Sequence, residues 1–180
     1  WVSERHLVAA ISNAGGFGVI ACGAMTPDLL DAEIAGTKAL TGKPFGVNLI
    51  TMHPDLDALI EVCAKHKVGH VVLAGGLPPG GAIERIKSSG ARLICFAPAL
   101  ALARKLMRSG ADALVIEGME AGGHIGPVST SVLAQEILPN VSITAGVRYD
   151  FAGPFSEKNG DLFNFDPSLY SATDSAVTDS

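Results

Sequence analysis

Basic residues are scarce in this chain: 13 Lys and Arg stand against 18 Asp and Glu in 180 residues, giving a formal net charge of −5 and a pI near 5.4. The few cations are scattered along predicted helices and form no stripe, which argues against a phosphate-backbone binder and so against nucleic acid as a partner. Cysteine is scarcer still. Cys22, Cys63 and Cys95 are odd in number, isolated and set in apolar runs, so buried free thiols are expected in place of disulfides or a metal site. No apolar stretch approaches the ~18 residues of a membrane span, and no charged region followed by an apolar core and a cleavage site opens the chain. The expectation is a cytoplasmic protein with no membrane partner. A Gly-x-Gly-x-x-Gly fingerprint is also missing, which counts against an open dinucleotide-binding sheet. What the chain does have is apolar content, 48% with positive mean hydropathy, enough for one sizeable core.

That apolar content is arranged in a regular alternation. An amphipathic helical pattern over Ser3 to Asn13 stops at Gly15-Gly16, and Phe17 to Ala21 reads as a strand. Thr26-Pro27-Asp28 opens a helix with a capping hydroxyl and a proline in the first turn, and Thr41-Gly42 stops it after Leu40. Strands are predicted at Phe45 to Ile50, His70 to Ala74, Arg92 to Ala97 and Leu114 to Ile116. Helices fall between them at Pro54 to Lys67, Gly80 to Ser89 and Pro98 to Ser109. Strand and helix in strict alternation predict a parallel sheet, and equal spacing favours an α/β barrel over an open sheet.

The most informative stretch follows the last of these strands. Leu114-Val115-Ile116 is an unbroken apolar run of the kind buried on both faces of a parallel sheet, and it opens into Glu117-Gly118-Met119-Glu120-Ala121-Gly122-Gly123-His124-Ile125-Gly126. Strand ends of this kind carry active sites. Gly122 and Gly123 let the backbone approach a ligand without a Cβ between them, and an imidazole with an unperturbed pKa of roughly 6.5 transfers protons near neutrality. His124 is therefore the candidate catalytic group, the alternative being a loop histidine bonded only to backbone. A second glycine-rich strand-to-helix loop, Leu73-Ala74-Gly75-Gly76-Leu77-Pro78-Pro79-Gly80-Gly81, suits a flavin or substrate as well as an ordinary wide turn, and lacks the lysine of a phosphate grip. Asn48 ends an apolar strand, where its amide must find partners in a ligand or in the structure. Glu117 and Glu120 flank the histidine loop and either tune His124 or serve structure. The Ser129-Thr130-Ser131 cluster is expected to cap the helix that runs to Leu138. His6, His53, His66 and His70 have no second ligand at metal spacing, so no metal site is expected.

The segment EGMEAGGHIG at 117–126, followed by Pro127-Val128-Ser129-Thr130, resembles the nitronate monooxygenase (2-nitropropane dioxygenase-like) family and its relatives, the FMN-dependent enoyl-acyl-carrier-protein reductases. Ser12-Asn13-Ala14-Gly15-Gly16-Phe17-Gly18-Val19-Ile20 and Gly42-Lys43-Pro44-Phe45-Gly46-Val47-Asn48-Leu49 extend the resemblance over residues 1 to about 139. It implies a TIM-type (β/α)8 barrel with FMN at the C-terminal ends of the strands. It also implies His124 as the catalytic histidine and Asn48, Gly75, Gly76, Glu117, Gly122 and Gly123 as cofactor-binding residues. The implied reaction is oxidation of alkyl nitronates by O₂ to a carbonyl compound and nitrite, with a nitronate or nitroalkane as the small-molecule substrate. Enoyl-thioester reduction by NAD(P)H through the same FMN is the alternative.

Two departures from the family pattern set further expectations. Trp1-Val2-Ser3 falls just after the family's first strand, and past Asn140 the family's last strands and phosphate-holding turn are not recognisable. Residues 1–139 are thus expected as a partial FMN-binding barrel and 140–180 as a divergent, poorly ordered tail. An incomplete barrel has open edges, so a homo-oligomer, or a fragment that binds no flavin and pairs those edges with another chain, is the rival reading.

Overall fold

The computed structural model describes residues 3–122 and 126–140, all within a unit spanning Trp1–Ile143. The expected tail over 140–180 lies, apart from Asn140, outside the described residues. Five strands and six helices alternate as α1 (Arg5–Asn13), β1 (Gly18–Ala21), α2 (Pro27–Leu40), β2 (Phe45–Ile50), α3 (Leu56–Lys65), β3 (His70–Ala74), α4 (Ala82–Ser88), β4 (Arg92–Ala97), α5 (Leu100–Arg108), β5 (Ala113–Ile116) and α6 (Thr130–Ile137). Local chemistry sets several of the boundaries. The Glu4 carboxylate accepts the His6 and Leu7 N–H groups at the start of α1, and Thr26 Oγ1 accepts the Leu29 N–H at 3.3 Å ahead of Pro27 in α2.

All four strand pairings are parallel and the strand order is β1-β2-β3-β4-β5. That monotone order matters. A doubly wound sheet reverses direction at a switch point, whereas sequential order with crossovers of one hand keeps every helix on one face and curls the sheet into a barrel. The burial pattern agrees. Ile20, Val47, Leu49, Val71, Leu73, Leu93, Cys95 and Ala97 join Leu30, Ile34, Leu59, Ile86, Leu106, Leu133 and Ile137 from the helices in one core cluster. The alternate strand positions, Val19, Ala21, Asn48, Ile50, Ala74, Ile94 and Phe96, are half-buried and face the other way. The expected α/β barrel architecture is therefore present as a five-stranded parallel segment, with Asn48 as a polar side chain on its largely apolar inner face.

Helices α1 and α2 are tied by a partly buried ion pair. Arg5 donates Nε and Nη2 to Glu33 Oε1 at 3.0 and 2.6 Å, and its backbone N–H reaches Oε2 at 2.9 Å. These bonds hold the Glu33 carboxyl below its usual range, the Arg5 side-chain hydrogen bond being the main cause. Cys22, Cys63 and Cys95 are free and buried, as expected, and burial pushes their thiols up to about 11, 12 and 11. Among the described residues no helix is long and apolar enough to cross a membrane.

Candidate active site

The C-terminal edge of the sheet collects Asn48, Gly75, Gly76 and Glu117 among the residues that the sequence singles out. Asn48 sits in β2 in register with Ala21 of β1 and Val72 of β3. Its backbone carbonyl accepts the Cys22 N–H at 3.0 Å, which continues the ladder past the end of β1. Its side-chain Oδ1 is buried and has no hydrogen-bond partner among the described residues. A buried carbonyl oxygen left alone costs about 1–3 kcal/mol, and such an atom in a folded chain calls for an explanation, of which a missing ligand donor is one.

On the neighbouring strand, β3 ends at Ala74 and the chain turns through Gly75 and Gly76, with φ of +97° and +100°. Both values lie in the left-handed region that a Cβ disfavours, so glycine is required by the backbone path itself. The turn is fixed to β2: Thr51 N–H donates to Ala74 O at 2.8 Å and Thr51 Oγ1 donates to Gly75 O at 2.7 Å. Thr51 was not legible in the sequence as a site residue, because its partner lies 24 positions away and a threonine after a strand is unremarkable by itself.

Glu117 follows β5 half-buried, and Gly118 is packed so tightly that an added Cβ would lie 2.6 Å from Glu120 Oε2 and closer still to Thr130 N and Oγ1. The neck of the loop is closed by Met119 N–H to Val128 O at 2.9 Å and Ala121 N–H to Gly118 O at 3.1 Å. Ser129 occupies the position before α6, yet its side chain makes no capping bond and lies 3.2 Å from Ser131 Oγ. The helix is capped from outside: Glu120 Oε2 accepts the Thr130 N–H and Oγ1–H, both at 2.8 Å. A carboxylate at a helix N-terminus is favoured by the exposed N–H groups there, and the hydrogen bonds from Thr130 hold the Glu120 carboxyl below its usual pKa range. Glu120 thus serves the base of the loop, and the expected serine cap is replaced by a carboxylate because the loop folds back across the helix end. Gly122 is exposed, with nothing within 4 Å of where a Cβ would stand. Gly123 and His124 lie outside the described residues.

Three large apolar side chains crown this edge: Met52 after β2, Leu77 after β3 and Met119 after β5 are 75%, 49% and 54% exposed. At the opposite edge of the strands, a cavity of about 350 Å³ lined by Lys38, Lys43, Phe45, Lys67 and His70 contains none of the site residues. Three other histidines make local contacts: His66 Nε2 lies 3.0 Å from Asp31 Oδ1, His53 Nδ1 accepts the Asp55 N–H at 3.0 Å, and the His70 ring meets Phe17 edge-on at 4.9 Å, its buried Nδ1 having no hydrogen-bond partner among the described residues. Among the described residues no group of three or more His, Cys, Asp or Glu is arranged to hold a metal ion.

A sequential parallel sheet with its helices on one face, and with glycine loops and a lone amide at the strand C-termini, defines a segment of a (β/α)-barrel whose site lies at that edge. The sequence model of nitronate monooxygenase matches residues 1–59 and 51–145, and the chain belongs to that family of oxidoreductases. Over 162 residues it is 40% identical to a 5-hydroxy-7a-methyl-1-oxo-octahydro-1H-indene-4-carboxyl-CoA dehydrogenase of Mycobacterium tuberculosis, covering 89% of this chain and 44% of that protein. It is 32% identical to a nitronate monooxygenase of Paraburkholderia phytofirmans, covering 69% of this chain and 44% of the relative. The solved structure of FabK from Thermotoga maritima is 42% identical with a TM-score of 0.73, over 79% of this chain and 46% of that one. The chain thus spans about half the length of the curated relatives it matches.

Proposed function

We propose that residues 1–139 form the flavin-binding barrel segment of an FMN-dependent oxidoreductase acting on a carbon acid, an acid C–H beside a strongly electron-withdrawing group. The observation that carries this reading is the orphaned Asn48 Oδ1 on an otherwise apolar inner face, next to a glycine turn of positive φ. Both fit the polar edge of a flat heteroaromatic ring: the amide oxygen accepts a ring N–H, and the Gly75-Gly76 backbone permits close approach. FMN, when bound, supplies the redox chemistry that no side chain can. Asn48, Gly75, Gly76, Glu117, Gly122 and Gly123 hold it, while His124 removes or returns the proton at the substrate α-carbon. The apolar lip of Met52, Leu77 and Met119 presents a dry surface to the substrate's hydrocarbon part.

Oxidation of an alkyl nitronate by O₂ to a carbonyl compound and nitrite is the reaction that membership of the family supports. Redox chemistry of an acyl thioester with a nicotinamide cofactor is the second reading. It is favoured by the 40% identity to a relative whose name carries a CoA thioester, exceeding the 32% to a nitronate monooxygenase. The experiment is an anaerobic titration of the FMN-loaded chain with ethylnitronate and, separately, with NADH and NADPH. Bleaching by ethylnitronate alone supports the first reading, bleaching by a nicotinamide supports the second, and bleaching by neither rejects both. His124→Asn is expected to slow turnover of a neutral nitroalkane roughly 10²–10⁴-fold, and undiminished turnover would remove His124 from the reaction.

A further inference from the structure

The Thr51 side chain is 8% exposed and its hydroxyl has one described hydrogen-bond partner, the carbonyl of Gly75, at 2.7 Å. That bond has a directional consequence. In a trans peptide the C=O of one residue and the N–H of the next point in opposite directions, so fixing the Gly75 carbonyl toward β2 turns the Gly76 N–H away from it. Among the described residues no acceptor meets that N–H. Nothing stands within 4 Å of where a Gly76 Cβ would be, so a ligand can approach the Gly76 backbone from that side. The arrangement is over-determined from the other side as well. The Thr51 backbone N–H holds Ala74 O at 2.8 Å, and a Cβ on Gly75 would lie 3.0 Å from Thr51 Oγ1. The turn cannot rotate its peptide without breaking the hydroxyl bond, and a side chain there would displace the hydroxyl.

We infer that Thr51 is a positioning residue: by gripping the Gly75 carbonyl it aims the Gly76 N–H as a hydrogen-bond donor at an acceptor atom of the bound flavin. This rests on the flavin reading above, and it adds a residue just past the end of β2 that acts through the Gly75 carbonyl. Thr51→Val keeps the β-branched shape and removes the donor. Thr51→Ser keeps the donor and removes a methyl.

The test uses the whole chain, with FMN as the probe, in wild-type, Thr51→Val and Thr51→Ser forms. Three quantities are read: the FMN dissociation constant from fluorescence quenching, the position of the bound flavin's visible bands, and the melting temperature of the flavin-free chain. The expected result is a roughly three- to tenfold weaker affinity for Thr51→Val, the effect of one misaimed hydrogen bond, with shifted visible bands. Thr51→Ser is expected to restore both. Equal affinity and unchanged bands in Thr51→Val would overturn the inference, as would losses in both variants that only follow a lowered melting temperature. If Thr51→Val does not fold, the Gly76 amide resonance of the isotope-labelled wild-type chain decides: a shift on adding FMN supports the donor role, and none refutes it. Failure of the flavin reading is separate, since then the wild-type chain binds no FMN at all.

Discussion

Replacing Asn48 by leucine should make the flavin-free chain more stable and unable to hold FMN. Leucine nearly matches asparagine in shape and removes the buried Oδ1 that has no partner. Removing an unsatisfied buried oxygen returns about 1–3 kcal/mol, and the half-buried state of the residue as a whole places the gain near the lower end, about 1 kcal/mol. The new side chain meets Ala21 and Val72, its partners in register, and adds apolar burial. A chain of this length shifts its midpoint by roughly 2–4 °C per kcal/mol, so a rise of roughly 2–5 °C is expected in a thermal melt followed by circular dichroism. In the same sample FMN affinity should fall at least tenfold, which corresponds to ~1.4 kcal/mol. Opposite signs for stability and binding are the signature of a polar group kept for a ligand at a cost to the fold. A fall in melting temperature with flavin binding intact would show that the amide serves structure, and the assignment of the inner face as a cofactor site would fail.

Other substitutions test the frame around that site. Gly118→Ala would drive a Cβ against Thr130 and Glu120, and overpacking of this kind costs roughly 1–3 kcal/mol, a drop of roughly 2–12 °C in the melt; an unchanged midpoint would contradict the packing described at the loop neck. Glu33 is held below the usual carboxylate range by Arg5, so the unfolded chain takes up this proton first. The contribution is therefore complete above the unfolded value of ~4.3 and is lost as pH falls through the lower native value. Urea titrations at pH 7 and pH 3 should show the gap between wild type and an Arg5→Met, Glu33→Leu double variant narrowing at the lower pH, and a constant gap would refute it. The three thiols, raised to about 11, 12 and 11 by burial, should react with a disulfide reagent at pH 8 only after denaturant is added. Rapid labelling of the native chain would show that the core is open.

Much of this architecture can be read from residues alone because local and tertiary signals agree. Strands β2, β3 and β4 are largely apolar runs, and their limits in the structure match the sequence pattern at both ends. Helix ends are less legible: α3 begins at Leu56 and not at Pro54, since His53 Nδ1 takes the Asp55 N–H and His53 O takes the Leu56 N–H in a turn before the helix. The cap of α6 shows the same limit. A serine in the N-cap position predicts a hydroxyl cap, but Glu120, ten residues upstream, reaches Thr130 because the loop returns to the helix end. Thr51 and Gly75 form the same sort of pair, joined through the adjacency of β2 and β3, which the strand order reveals and the sequence spacing does not. Candidate site residues proposed for their own chemistry, Asn48 and the glycines, are visible in the sequence. Those that act by holding another residue's backbone emerge once the strands are side by side.

The most direct test is the visible absorption spectrum of the purified chain after incubation with FMN and desalting. Retained flavin bands, lost in Asn48→Leu, are the expected result and would locate the cofactor at the C-terminal edge of the sheet. A colourless protein, or bands that survive the substitution unchanged, would contradict a flavin site built on Asn48.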